Sequence, residues 1–485
     1  MPTKYSLVHT PCESGTYPVI PADYSTERHL APRLRNNPLV AALPLGDLKH
    51  GGIASLFERL PEKPSAEFLR ADPLTRAGEL PTLGDLIYNL PSYQEAAVAS
   101  LTAWRESYVG RNVLLPIDRM RRHLVHTASA FVDGKLSVPL PPGLRMTATS
   151  LALFGFPGTS KTTFLRSLSA NFAVVIRHEQ YKGQKLTLDQ LPHLYLQIPF
   201  DATVKSFCLG FLLAIDDAMG YTDFYRYGLA AGGIAEMVIL MARAATTVSL
   251  GMIFIDGFEN LRVARGPSIV IMLNLLSALV ELVGISVVCS GTPDVQEVLK
   301  PGAANQRKLE LSGEIFFPLM KWDSDELNDF MSVLWGYRYV THSSPLTPEV
   351  RKAWFEVGGG NPAFMVMAYA LAQRNELGGR ELIDEIAFER VRRFNMATLA
   401  PAIRAMRFGR TRFLSDMEIS RHINDLRKQL GAPALPNASF KSTGDEFEEV
   451  VREQAKCAGT GTPRKGKATA DSYSLPPFEN PLLLR

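Results

Sequence analysis

The feature that most constrains the fold is the octapeptide Gly-Phe-Pro-Gly-Thr-Ser-Lys-Thr at residues 155–162. It follows the apolar run at residues 150–154 and precedes a stretch with helical periodicity. A turn between a strand and the N-terminus of a helix directs backbone N–H groups at phosphate oxygens. The octapeptide fits the P-loop pattern G-x-x-x-x-G-K-[ST] except at Ser160, where the pattern has its second glycine. The sequence therefore predicts a phosphate-binding turn at the end of a buried strand.

The residues of this turn have distinct predicted roles. Lys161 would lie between the terminal phosphates of a nucleotide, and Thr162 would hold Mg²⁺. The other candidate nucleotide-binding residues are Gly155, Gly158, Ser160 and Thr163. If the backbone of Ser160 needs a positive φ, its β-carbon costs about 1 kcal/mol, so binding would be weakened but retained. The alternative is an ordinary loop with an N-cap, which the spacing and the flanking segments disfavour.

A second motif is the apolar run at residues 251–255, which ends in Asp256. This is the position from which a Walker B aspartate reaches Mg²⁺, so Thr162 and Asp256 are the predicted metal ligands. ATPases of the AAA+ kind carry a glutamate directly after this aspartate, and this chain has Gly257. Glu259 comes two positions later. It either substitutes through a bent turn or caps the next helix, and we favour the cap. The expected cofactors are ATP and Mg²⁺, with hydrolysis slow or absent.

Three further positions complete the predicted catalytic site. The strand at 285–289 is followed by Ser-Gly-Thr-Pro, in which Thr292 is the first candidate for a side chain that senses the terminal phosphate, and Ser290 the second. The alternative is a turn that only starts the next helix. Arg307 is the candidate for an arginine finger on a neighbouring subunit's nucleotide, or else an ordinary surface arginine. Ala363 stands where many AAA+ proteins carry a sensor-2 arginine, which also indicates weakened catalysis.

Strand-like apolar runs alternate with longer helical patterns, which predicts an α/β fold with a parallel sheet and flanking crossover helices. The predicted strands are at residues 147–154, 172–177, 194–199, 251–255 and 284–289, and two crossover helices are at 204–219 and 234–247. After residue 314 the pattern is all-helical. The predicted divisions are a proline-rich N-terminal arm (1–90), a helical N-terminal extension (91–140), an AAA+ P-loop nucleotide-binding core (141–318), a small α-helical lid (319–410), and a C-terminal helix with a flexible, mostly disordered tail (411–485).

Composition restricts the remaining classes of function. The chain has 485 residues and a formal net charge of +3, so contact with nucleic acid requires a local basic patch. The four cysteines are far apart and lack metal-binding spacing, which is typical of a reducing cytosol. Apolar stretches are interrupted before the roughly 18 residues that cross a bilayer, so we expect a cytoplasmic protein that does not contact membranes.

With these residues identified, residues 37–409 resemble the TniB/TnsC family of AAA+ regulators of bacterial DNA transposition. The resemblance extends beyond the nucleotide motifs. It includes Asn-Pro-Leu-Val-Ala-Ala-Leu at 37–43, Tyr-Leu-Gln-Ile-Pro at 195–199, Thr-Val-Lys-Ser at 203–206, Val-Val-Cys-Ser-Gly-Thr at 287–292, and the segment 322–339 with its Leu-Trp-Gly-Tyr. The departures, Ser160, Gly257 and Ala363, all concern the nucleotide site and put turnover in question.

The resemblance implies an ATP-dependent homo-oligomer, a ring or filament, on double-stranded DNA of a mobile genetic element. It would receive a target-selection protein of the TniQ type and recruit the transposase. Such an oligomer needs side chains that contact phosphates, and the candidates are Lys182, Lys185 and Lys205. A second possibility is the cluster Arg119, Arg121 and Arg122. The alternative functions are a nucleotide-holding scaffold or signalling ATPase that does not bind DNA, and a loader or initiator ATPase of the same fold.

Overall fold

The structure is a computed structural model that describes residues 15–44, 52–128, 131–132, 135–136, 143–263, 267–293 and 313–407. The strands are β1 (Val19–Pro21), β2 (Phe131–Val132), β3 (Lys135–Leu136), β4 (Ser150–Gly155), β5 (Val175–Tyr181), β6 (Gln184–Gln190), β7 (His193–Gln197), β8 (Met252–Asp256), β9 (Ser286–Gly291) and β10 (Glu314–Phe317). The predicted arginine finger, Arg307, and the predicted C-terminal helix and tail at 411–485 lie outside these residues.

The helices of the N-terminal region and the core are α1 (Pro38–Ala41), α2 (Pro73–Glu79), α3 (Pro91–Val109), α4 (Pro116–Thr127), α5 (Lys161–Asn171), α6 (Val204–Met219), α7 (Asp223–Ala230), α8 (Ile234–Thr247) and α9 (Pro267–Ala278). Those that follow the sheet are α10 (Asp325–Trp335), α11 (Pro348–Gly358), α12 (Pro362–Glu376), α13 (Glu385–Arg390) and α14 (Ala400–Arg407). Single turns of other helix types lie at Glu27–His29, Pro32–Leu34, Ile53–Leu56, Phe68–Arg70, Leu80–Asp85, Phe258–Val263, Leu279–Val283 and Val391–Asn395.

The centre of the fold is a five-stranded sheet in the order β10-β4-β9-β8-β7, and every neighbouring pair is parallel. Strands β4, β8 and β9 are buried along their whole length because helices cover both faces. This explains why their sequences read as continuous apolar runs. The carboxyl ends of parallel strands meet at one edge, which is where ligands bind in such sheets. The predicted α/β fold with a parallel sheet and flanking helices is confirmed.

Two strand predictions need correction. The run at 172–177 was expected in the main sheet, but β5 belongs to a separate sheet of order β1-β5-β6 and forms an antiparallel hairpin with β6. The segment after residue 314 was expected to be helical, but β10 is the fifth strand of the main sheet. This strand has only four residues, of which Ile315 and Phe317 point inward. So short an edge strand carries too few residues for its alternation to be recognised.

The helices after β10 form the compact helical unit that we call the lid (α10 to α13). Trp354 of α11 stacks on Tyr369 of α12 at 4.8 Å between ring centroids and on Phe388 of α13 at 5.5 Å. Each of these side chains is essentially inaccessible to water. Aromatic stacking on this scale adds about 1 kcal/mol per pair to the burial of apolar area. Trp354 therefore fixes the mutual arrangement of three lid helices.

The segment before the sheet packs into the same hydrophobic cluster as the P-loop helix and the lid. Phe57 stacks on Phe164 of α5 at 5.0 Å and contacts Tyr93 of α3 at 5.2 Å. Asn37 caps α1 and also donates a hydrogen bond to the carbonyl of Tyr108 at 2.7 Å. Residues 83–93 line a cavity together with Ser160, and the Tyr93 hydroxyl donates to the carbonyl of Ser160 at 3.3 Å, so this segment lies next to the P-loop. Within the described ranges, no helix combines the length and hydropathy needed to cross a bilayer.

Candidate nucleotide-binding site

The P-loop connects β4 to α5, and Ser160 is the N-cap residue of α5. Its backbone has φ 68° and ψ 18°, in the left-handed region. This is the conformation for which glycine is the usual residue, and a serine β-carbon costs about 1 kcal/mol there. The N–H of Thr159 donates to the carbonyl of Phe156 at 3.2 Å within the loop, and the N–H of Phe164 donates to the carbonyl of Ser160 at 2.9 Å at the start of α5. Ser160 therefore introduces strain, and α5 still begins directly after it.

The two glycines of the loop are required by close packing. A β-carbon at Gly155 would lie 2.6 Å from Thr159 Oγ1 and 2.7 Å from the carbonyl oxygen of Phe317 in β10. A β-carbon at Gly158, where φ is 83°, would lie 2.5 Å from Asn361 Oδ1. Gly155 therefore allows the edge strand to approach the loop, and Gly158 allows the lid to approach it.

Lys161 is buried and lies against its own loop. Its Nζ donates to the carbonyl oxygens of Gly155 at 2.7 Å and Phe156 at 2.9 Å. An ammonium group has three protons, so one donor remains for a phosphate oxygen. Burial lowers the pKa of Lys161 to about 8, and the carboxylates of Glu259 and Asp256 partly oppose this effect. A bound phosphate would add a stronger counter-charge and keep the lysine protonated.

Asp256 closes β8 and is held by hydroxyl groups from both neighbouring strands. Ser290 of β9 donates to one carboxylate oxygen, and Tyr195 of β7 donates to the other at 2.9 Å. Asp256 and Thr162 line the same cavity of about 350 Å³ at the carboxyl edge of the sheet. Their carboxylate and hydroxyl oxygens are the ligand type that Mg²⁺ prefers. The structure therefore brings the two predicted metal ligands to one cavity.

Thr292 also lines this cavity. Its Oγ1 is buried and has no hydrogen-bond partner within the described part of the chain. A buried hydroxyl without a partner costs about 1–3 kcal/mol, so a ligand oxygen at this place would be stabilised. Since the Ser290 hydroxyl is engaged by Asp256, the geometry favours Thr292 over Ser290 as the residue that contacts a terminal phosphate.

Glu259 reaches the cavity by way of a bent turn. Gly257 has φ 77°, which turns the chain directly after β8 into the 3-10 helix Phe258–Val263. The Asn260 side chain fixes this turn by donating to the carbonyl of Ile198 at 2.9 Å. Glu259 is exposed, lies in the first turn of this 3-10 helix and lines the cavity together with Lys161. This position is compatible with both roles that the sequence left open, the cap and the carboxylate at the phosphate site.

A second cavity of about 190 Å³ adjoins the first, because Ser160, Thr163 and Ala363 line both. Its other walls are apolar and come from residues 83–93 and from the lid. The sequence does not reveal this cavity because its walls come from three distant segments. The leucine-rich pattern at 80–90 was the available signal. The lining includes Leu83, Leu86, Tyr88, Tyr93, Phe330 and Val366.

The first turn of α12 joins the lid to the P-loop. The Asn361 side chain caps α12 by accepting from the N–H of Phe364 and donates to the carbonyl of Pro157 at 2.7 Å. The N–H of Ala363 donates to the carbonyl of Gly158 at 3.3 Å. Ala363 thus stands at the edge of the phosphate cavity, where a longer basic side chain would have reached a nucleotide. The lid contacts the loop through an amide and the backbone instead.

The three candidate DNA-contacting lysines lie on two elements. Lys182 is at the turn of the β5–β6 hairpin, pairs with Glu27 at 3.0 Å and donates to Asn36 at 2.7 Å. Lys185 is exposed on β6, and Lys205 is exposed in the first turn of α6. DNA would have to compete with Glu27 for Lys182, whereas the other two ammonium groups face solvent.

The structure contradicts the prediction that the arginines at 119–122 form an alternative DNA-binding cluster. Arg121 is buried and pairs with Asp118 at 2.8 Å. Arg122 pairs with the same carboxylate at 2.9 Å and donates to the carbonyl of Thr246, near the C-terminus of α8, at 3.0 Å. Cations stabilise the negative C-terminal end of a helix, which explains their position. Only Arg119 of this cluster is exposed, so these arginines do not form a basic surface.

Part of the chain is similar to a known protein family. Residues 144–299 match the family described as AAA domain. The Walker-type ATPase PABY2304 of Pyrococcus abyssi is similar in structure, with a TM-score of 0.38, 13% identity, and coverage of 64% of this chain and 84% of that chain. Cdc6p from Pyrobaculum aerophilum has a TM-score of 0.34, 14% identity, and coverage of 64% and 82%. The search of curated proteins gives no match. The five-stranded parallel sheet with its P-loop is the P-loop ATPase fold, and residues 144–299 within it are similar to the AAA domain family.

Proposed function

We propose that this protein is an ATP-dependent, DNA-binding AAA+ regulator of transposition that links the selection of a target site to the recruitment of a transposase. The observation that carries the ATP-binding part is that Lys161, Thr162, Asp256, Glu259 and Thr292 share one cavity. The apolar second cavity adjoins it and shares Ser160, Thr163 and Ala363 with it, so a base could lie there while its phosphates occupy the first. Together they fit a nucleoside triphosphate with Mg²⁺.

Each residue of the phosphate cavity has a role that follows from its position. The N-terminus of α5 and the remaining Lys161 proton would bind phosphate oxygens. Thr162 and Asp256 would hold Mg²⁺, which supplies charge neutralisation at the terminal phosphates. Thr292 would donate its buried hydroxyl to the terminal phosphate. Glu259 would accept a proton from an attacking water.

We infer that hydrolysis is slow. The Glu259 residue is exposed and no hydrogen bond holds its carboxylate in the described part of the chain, whereas a catalytic base works best when its orientation is fixed. Ser160 adds strain to the loop, and Ala363 supplies no positive charge to the developing transition state. Slow turnover suits a protein whose ATP-bound form must persist long enough for a partner to be recruited.

The transposition part of the proposal is supported by the sequence resemblance to TniB/TnsC proteins at 37–409 and by the exposed lysines. Lys185 and Lys205, which are exposed, would contact phosphates of double-stranded DNA without reading its sequence. In this proposal ATP binding stabilises a homo-oligomer on DNA. That oligomer receives a TniQ-type protein and recruits the transposase.

The test is binding of a fluorescent random duplex to the purified protein, followed by anisotropy and by electron microscopy. The four samples combine ATP·Mg²⁺ or no nucleotide with about 50 or about 200 mM salt, because phosphate contacts lose affinity steeply over this range. We expect rings or filaments and tight binding only with ATP, at low salt. A Lys185→Ala/Lys205→Ala variant should bind DNA more weakly, with ATP affinity unchanged.

The competing function is a nucleotide-holding scaffold, which the missing positive charge at Ala363 favours. A scaffold predicts ATP binding with neither DNA binding nor assembly. If monomers are seen in all four samples while ATP binds, the scaffold replaces the transposition regulator.

A further inference from the structure

The Tyr195 hydroxyl contacts Asp256, although Tyr195 belongs to neither of the nucleotide-binding motifs. Strands β7 and β8 are paired so that Gln197 is opposite Asp256 and Tyr195 is opposite Phe254. Side chains two residues apart on a strand share a face, so Tyr195 lies on the face from which Asp256 projects. Its long side chain spans the remaining distance and its hydroxyl donates to Asp256 Oδ2 at 2.9 Å.

Tyr195 is also connected to the P-loop helix. Arg166 of α5 donates from Nε to the Tyr195 hydroxyl at 3.3 Å, and its guanidinium carbon lies 5.9 Å from the centre of the Tyr195 ring. Residues four apart on a helix are neighbours on one face, so Arg166 lies one turn below Thr162. The chain of contacts therefore runs from the helix that carries Thr162, through Arg166 and Tyr195, to Asp256.

The tyrosine is suited to act as a donor in this chain. A phenol hydroxyl keeps its proton at neutral pH and can therefore donate the hydrogen bond that Asp256 Oδ2 accepts. Each carboxylate oxygen has two lone-pair sites, so one site on each oxygen remains after the bonds from Tyr195 and Ser290.

We propose that Tyr195 is a positioning residue that fixes the Asp256 carboxylate relative to Thr162 and thereby sets the affinity of the nucleotide site for Mg²⁺. This inference rests on the proposed function, because it assumes that nucleotide and Mg²⁺ bind at this cavity. Partners that orient a ligand of a metal commonly change its affinity 10–100-fold when they are removed, a range of about 1.4–2.8 kcal/mol. Nothing in the P-loop or Walker B patterns assigns a residue to this role.

The test is the variant Tyr195→Phe, which deletes only the hydroxyl and keeps the ring. Binding of a fluorescent ATP analogue is measured as Mg²⁺ is titrated, and again in EDTA. In the variant, the Mg²⁺ concentration that gives half of the maximal increase in analogue binding should rise about tenfold. Analogue binding in EDTA should be the same as in the wild type. Tyr227→Phe, at a half-exposed tyrosine on α7, is the matched control and should behave like the wild type. Arg166→Met should shift the midpoint in the same direction by a smaller factor.

The outcomes separate this inference from the proposed function. A wild-type protein that binds no nucleotide would overturn both. If the wild type binds with a clear Mg²⁺ dependence and Tyr195→Phe has the same midpoint, only the role of Tyr195 is refuted. An equal loss of binding in EDTA and in Mg²⁺ would show that the hydroxyl supports folding of the site, which also refutes positioning.

Discussion

The ion pair between Arg76 and Glu381 joins the segment before the sheet to the lid. Arg76 donates from both terminal nitrogens to the two carboxylate oxygens at 2.8 Å and also to the carbonyl of Tyr339 at 2.7 Å. The N–H groups of Gly378 and Thr341 donate to the same carboxylate. Arg76 is 3% exposed and Glu381 is 9% exposed. Because the partners of both side chains are fixed and water is largely excluded, this ion pair should contribute more to the free energy of unfolding than a surface ion pair does.

The magnitude follows from the pKa of Glu381. Hydrogen bonds from Arg76, opposed by burial, lower this pKa from 4.5 to about 2. At about 1.4 kcal/mol for each pKa unit, the ionised carboxylate stabilises the folded protein by about 3 kcal/mol. Since the folded pKa is depressed, this stabilisation is complete above pH 4.5 and is lost as the pH falls toward 2. Near pH 3 about half of it should remain.

The experiment compares urea unfolding of the wild type and Glu381→Gln at pH 7 and near pH 3. The variant should be less stable by about 3 kcal/mol at pH 7, and the difference should narrow to about half at the lower pH. Glu389→Gln is the matched control, since the pKa of Glu389 is also lowered to about 2, by Arg392 foremost, but its side chain is 36% exposed. Because solvent screens this exposed pair, Glu389→Gln should lower the free energy of unfolding by less than about 1 kcal/mol. Equal costs for the two variants, or a pH-independent difference for Glu381→Gln, would refute the reasoning.

Three other predictions concern the site and its support. Gly158→Ala places a β-carbon against Asn361 and should weaken ATP binding at least tenfold in a fluorescence titration. The reason is that moving the lid away costs more than about 1.4 kcal/mol. The control is Gly183→Ala, where φ is 78° and the space around the residue is open, and ATP binding should be unchanged. Glu259→Gln should lower single-turnover ATP hydrolysis about 100-fold and leave binding intact, and an unchanged rate would exclude it as the base. Asp118→Asn leaves Arg121 buried without its counter-charge and should lower the free energy of unfolding in urea by about 3–5 kcal/mol. An unchanged free energy of unfolding would show that backbone carbonyls alone stabilise the buried arginine.

The local motifs were predictable because their residues are contiguous. The P-loop, the strand before it and Asp256 follow from short stretches whose conformation and chemistry are linked, and α6 and α8 have the bounds that their periodicity predicts. The strand β5 was recognised as a strand and assigned to the wrong sheet. Its apolar residues predict burial, whereas its pairing with β1 depends on a segment more than one hundred residues earlier.

The properties that depend on packing could not be read from the sequence. The arginines at 121 and 122 resemble a solvated basic face until the helix ends around them are located. The direction of Glu259 depends on the φ of Gly257, which a glycine leaves undetermined. Tyr195 was part of a motif quoted for family resemblance, but its contact with Asp256 follows only from the register of β7 on β8.

The way the walls of the two cavities are joined indicates how a nucleotide would act on the rest of the chain. The second cavity lies between residues 83–93 and the lid, and the first lies between the P-loop and the sheet edge. Asn361 connects the lid to the P-loop, and Arg76 connects the lid to the segment before the sheet. A ligand that filled both cavities would contact all three parts at once, and its binding energy would oppose their separation. Because Ala363 contributes no charge, that coupling would depend on the Asn361 contact and the apolar walls, so nucleotide binding should hold the lid against the P-loop even when hydrolysis is slow.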